Sequence, residues 1–103
     1  MHSEINSLAQ MLDQAEALLR SYGQVRWAEW LTKDARLIRS LDGYGLEHLL
    51  SAYGGMGSLN DVVLQRSNGG VGVLLDVGDN ERFDKLRSEI YDLARRLRTG
   101  EWQ

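Results

Sequence analysis

Few side chains in this sequence are placed to do chemistry, and the most conspicuous is an acid in an apolar setting. On a helical wheel Asp34 falls between the pairs Trp30/Leu41 and Trp27/Ile38, near the middle of an apolar arc. A carboxylate there must be paired, hydrogen-bonded, protonated or at an interface, because burying it alone is costly. The partners expected for it are the amides of a nearby turn or an arginine. No second acid, histidine or nucleophile stands at a catalytic spacing from it, so its expected role is structural.

The stretch "YGGMGSLND", residues 53 to 61, is the second place where chemistry could reside. A phosphate cradle needs backbone N–H groups converging on a helix start, usually with a Lys or Arg. Here Gly54, Gly55 and Gly57 follow an expected helix and precede an expected strand, and Asp61 adds an anion. An anion site is therefore disfavoured. The expected structure is a helix end plus a tight turn, with glycines at positive φ and with Ser58, Asn60 and Asp61 bonding nearby amides.

A third cluster is "DVGDNERFD", residues 76 to 84, where Asp76, Asp79, Glu81 and Asp84 face a single base. It lacks the alternating oxygen ligands, central glycine and terminal Glu of a calcium loop. Capping and dipole matching of a following helix account for these acids, and a docking site for an electropositive partner is their functional reading. Trp27 and Trp30, three apart, flank Asp34. Helical spacing favours the core for at least one of them, and the other would anchor an interface. His2 and His48 share no zinc-ligand spacing with any carboxylate, and His48 is expected on the solvated side of its helix. No Ser sits in a nucleophile-elbow pattern. No metal and no cofactor are expected.

Composition sets the outer limits. A chain of 103 residues with 43% apolar and 26% charged residues is expected to fold as one globular domain spanning 1–103, not as a disordered segment. The net charge of −3 argues against non-specific nucleic-acid binding, which needs clustered Lys and Arg. No apolar run approaches a membrane span, "MHSEINSLAQ" does not read as a leader, and there is no cysteine. Together these lead to the expectation of a cytoplasmic protein.

The elements that position these residues are read from periodicity. Ile5, Leu8, Leu12, Ala15, Leu19 and Tyr22 mark one face of a helix from Ser3 to Tyr22, closed by Gly23. A second helix covers about 24–40 and a third about 44–53. "DVVLQ" and "VGVLLDV" read as strands joined by "SNGG", and a last helix spans about 80–98. The expected fold class is α+β: about four helices packed with a small antiparallel β-hairpin, in the order αααββα.

"WAEWL", "LLSAYGGMGSLNDVVL" and "LRSEIYDLARRL" resemble a small bacterial family of unknown function with a GGMGS-(L/F)-N-D signature, over roughly residues 20 to 98. The resemblance carries no activity. By analogy of size and charge, short acidic domains of this style are often immunity proteins that neutralise a secreted toxin. The expectation is a non-enzymatic binding protein that docks a protein partner, a basic toxin domain, through Asp76, Asp79, Glu81, Asp84 and an exposed Trp27 or Trp30. The alternative is a small enzyme or ligand-binding domain in which "GGMGSLND" and Asp34 form one polar pocket.

Overall fold

The computed structural model describes residues 2–67 and 73–100. Four helices make up the fold: α1 (His2–Ser21), α2 (Val25–Arg39), α3 (Tyr44–Ser51) and α4 (Val77–Arg98). A 3-10 turn, Leu59–Asp61, lies between α3 and α4. α1 packs on α2 and α4, and α3 packs on α2 and α4.

Each helix buries the stripe that its spacing dictates. Leu8, Leu12, Ala15 and Leu19 of α1 meet Trp27, Ala28, Leu31, Ala35 and Ile38 of α2, with Phe83, Leu86, Ile90, Ala94 and Leu97 of α4 closing the core. Removing each large side chain from water contributes about 1.5–3 kcal/mol. α1 ends in a left-handed glycine, Gly23 at φ 76°, with Gln24 N–H donating to Leu19 O at 2.9 Å. At the start of α4, Asp76 Oδ1 accepts the Asp79 N–H at 2.8 Å, and Arg95, Arg96 and Arg98 occupy the last turn.

The fold class differs from the α+β expectation: the protein is an all-helical, four-helix fold, and among the described residues no sheet builds its core. "DVVLQ" does not form a strand along its length, because Asp61 closes the 3-10 turn and Leu64 is buried at 0% exposure. Val77, expected at the end of the second strand, opens α4. The extended backbone that does pair, Gln65–Ser67 antiparallel to Val73–Leu75, is a ribbon of three residues on each side. Most of the "SNGG" turn falls outside the described residues. Valine-rich runs supplied the strand signal, but two isolated strands of this length are marginal in water, and the helices already cover one another. Among the described residues no helix is long and apolar enough to cross a membrane.

One contact between helices sets how closely α3 can approach α2. Gly45 is buried, and a Cβ added there would lie 2.8 Å from Leu37 Cβ and 3.1 Å from Ile38 Cγ1. Gly45→Ala is therefore expected to lower stability by about 1–3 kcal/mol, although alanine is the better helix former. Gly43→Ala, with nothing within 4 Å of the added carbon, is expected to stay within about 0.5 kcal/mol of the parent, and urea unfolding of both variants checks the pair.

Candidate functional site

Two polar clusters tie the elements of the fold together. The first is centred on Asp34, which has 0% exposure. Its Oδ1 is bonded to His48 Nδ1 across the α2–α3 interface. Its Oδ2 has no hydrogen-bond partner among the described residues. The Trp30 ring stacks on the His48 ring, centroids 4.2 Å apart and planes 21° apart, and Trp30 Nε1 donates to His48 O at 3.2 Å. The Tyr44 ring lies 5.7 Å from the imidazole, tilted by 45°, and Lys33 Nζ lies 5.9 Å from the Tyr44 ring centroid.

This arrangement corrects the expectation for His48. It is not a solvated surface residue; its side chain is 16% exposed and it is the partner of Asp34. No turn amide and no arginine fills that role. Burial pushes the Asp34 carboxyl up to about 6, against the lowering effects of the His48 hydrogen bond, the His48 charge and Lys33. A carboxylate on Nδ1 fixes the tautomer and orientation of the ring, the arrangement that makes an imidazole a better base. No nucleophile is hydrogen-bonded to the ring among the described residues, so the dyad alone defines no reaction.

The second cluster is built on Arg87 and joins the glycine turn to α4. Arg87 Nη1 donates to Leu59 O at 2.8 Å, Asn60 O at 3.2 Å and Val62 O at 2.9 Å, while Nη2 pairs with Asp84. Its guanidinium lies 4.7 Å from the Phe83 ring centroid. Tyr53, whose hydroxyl burial pushes toward the neutral form, donates to Arg87 O at 2.8 Å. Next to it, Asn80 mimics a strand neighbour: Oδ1 accepts from Leu64 N and Nδ2 donates to Leu64 O, both at 2.9 Å.

Within the turn, Gly55 and Gly57 take φ of 80° and 74°, whereas Gly54 has no such requirement. Ser58 Oγ accepts from Asn60 N at 3.3 Å, Asp61 Oδ2 accepts from Gly57 N at 2.6 Å, and Asn60 Nδ2 donates to Tyr53 O at 3.2 Å. No hydrogen bond or ion pair among the described residues joins Asp34 to these groups. Trp27 is 8% exposed and belongs to the core. Trp30 is half-buried against His48.

Of the acids, Asp76 caps α4, and Asp79 accepts from Tyr22 Oη at 2.6 Å and lies 3.5 Å from Arg82. Asp84 holds Arg87, and Glu81 is exposed without an ion pair among the described residues. Arg87 and Asn80 escaped sequence reasoning, because an arginine or asparagine on a charged helix carries no mark of a distant backbone partner. Among the described residues no group of three or more His, Cys, Asp or Glu side chains is placed to hold a metal.

These features define a small four-helix protein in which a buried Asp–His pair and a glycine turn are each locked to a helix. The chain belongs to the family described as Domain of unknown function (DUF6966), whose model matches residues 20–73. That span contains Asp34, His48 and the whole glycine turn, and stops short of Arg87. No curated protein and no solved structure matches the chain.

Folding raises the Asp34 pKa above its ordinary 3.8 to about 6, so between these values the folded chain holds a proton that the unfolded chain has released. The resulting stability is fully present below 3.8 and lost as pH rises through about 6. Relative to Asp34→Asn, the wild type is expected to gain on the order of 1–2 kcal/mol on acidification from about pH 7 to about pH 4.5. Urea unfolding of both proteins across that range checks it, and parallel pH profiles would refute it. Arg87→Met is expected to cost about 1–3 kcal/mol in the same assay, since Asp84 and three carbonyls lose their donor.

Proposed function

We propose that this protein is a non-enzymatic, cytoplasmic binding protein of a bacterial family marked by the GGMGS-(L/F)-N-D motif, and that it neutralises a basic toxin domain by docking. The observation that carries the reading is the tie between the glycine turn and the acidic half of α4. Arg87 draws the two together, and of the apolar side chains left outside, Val63 and Val77 lie beside acids. Met56 at the tip of the turn is 99% exposed, Val63 51% and Val77 68%. Val63 and Val77 share a surface hollow with Asn60, Glu81 and Asp84.

Exposed apolar anchors rimmed by acids suit a partner whose own surface is basic. Asp76, Asp79, Glu81 and Asp84 add attraction at a distance and speed the encounter, while Met56, Val63 and Val77 supply the area removed from water. The inhibitory mechanism is steric: a catalytic surface covered by this face is closed to substrate.

The experiment is an affinity capture of the tagged protein from lysate of its native host, repeated with Met56→Asp and Glu81→Lys. One stoichiometric basic partner, inhibited by the wild type and released by both variants at unchanged melting temperature, is the expected result. Retention of that partner by both variants, or a partner that keeps its full activity when bound, would overturn the reading.

A further inference from the structure

The end of the molecule farthest from the proposed docking face holds an apolar cleft of about 180 Å³, lined by Ile5, Ile38, Leu41, Leu46 and Leu97 with Asp42 and Gly43. α1 contributes its first turns, α2 and α4 their last, and α3 its first. Leu97 lies about 30 Å along α4 from Val77, so the two surfaces are separate.

The corner that forms the mouth of this cleft is strained in an informative way. α2 ends in a Schellman motif, with Asp42 N–H donating to Leu37 O at 2.9 Å and Leu41 N–H to Ile38 O at 3.0 Å. The left-handed position of that motif normally holds glycine, as Gly23 does after α1. Here it holds Leu41 at φ 61° with 57% of its surface exposed. The conformation costs roughly 1 kcal/mol for any residue with a Cβ. Neither local folding nor core packing recovers that cost, since glycine would form the same turn and the side chain is mostly outside the core. What the leucine does provide is a fifth apolar wall.

The charges around the mouth select the ligand. Two arginines flank Leu97, and each faces a carboxylate: Arg96 lies 4.0 Å from Glu4, and Arg98 lies 3.7 Å from Glu47. Asp42 has no ion pair among the described residues; its Oδ1 accepts the Tyr44 N–H at 3.0 Å. The lining is therefore apolar, with one uncompensated negative charge at the rim. We propose that this cleft binds a small apolar ligand carrying a cationic head, of the primary alkylammonium class, with the chain among Ile5, Ile38, Leu46 and Leu97 and the ammonium at Asp42. The size fits, because an apolar cavity of about 150 Å³ accommodates a benzene ring.

The test is a titration of the intact chain, followed through its Ile and Leu methyl NMR signals, with n-hexylammonium, n-hexanol and n-hexanoate. Hexylammonium is expected to give saturable shifts at Ile5, Ile38, Leu41, Leu46 and Leu97 in the millimolar range. It should bind on the order of threefold more tightly than hexanol, with hexanoate weakest. Asp42→Asn should remove the advantage of the ammonium and leave hexanol binding unchanged. Leu41→Gly separates ligand binding from folding: its melting temperature should hold or rise while all three ligands weaken. No saturable shift with hexylammonium, equal binding of hexanoate, or full affinity in Leu41→Gly would each overturn the assignment.

Discussion

A carboxylate with no access to water has to be met by a partner, and in this protein that requirement decides where α3 lies. Asp34 sits on the inward face of α2, where ionisation is disfavoured unless a donor reaches it. His48 of α3 supplies that donor. Once its ring is committed, Trp30 stacks on it and bonds its carbonyl, so three interactions converge on one residue. The close approach that this needs is possible because Gly45 offers no side chain to the α2 surface. The tight corner at Ser40–Gly43 then follows, since α3 must return along α2 within a few residues. The cleft beneath that corner takes four walls from the helix ends, Ile5, Ile38, Leu46 and Leu97, and a fifth from Leu41 in the corner itself.

The other end of the fold is governed by a different economy. Between α3 and α4 the chain has little regular structure, so its carbonyls need donors from elsewhere. Arg87 answers three of them with one guanidinium, and Asn80 answers both backbone groups of Leu64. Both residues stand on α4, which makes that helix a frame for the turn as well as a wall of the core. Holding the turn through its backbone leaves Met56 and Val63 exposed, while Leu59 and Leu64 reach the core.

Much of the helical framework could be read in advance from periodicity. The stripe on α1, the left-handed Gly23 and the charge gradient along α4 are local patterns, and each has a local cause. The strands could not be placed the same way. Val62, Val63 and Val77 favour extended backbone by type, yet a strand survives only where a neighbour and a covered face exist, and here the chain enters a 3-10 turn or a helix instead. The wheel located Asp34 on the apolar arc but said nothing of His48, because a histidine on the polar side of one helix can still face another. Trp27 and Trp30 were indistinguishable by spacing; only the position of α3 decides that one is core and the other half-buried.

The sequence by itself determined the apolar stripes of the helices, the left-handed glycine that ends α1, and the need of one buried acid for a partner, because these depend on residues within a turn or two of each other. Only the tertiary structure decided that His48 is that partner, that Arg87 and Asn80 hold the loop, and that Leu41 lines a cleft. Each of these is a meeting of groups distant along the chain, and hydrogen bonding and packing act on distance in space, which the order of residues does not specify.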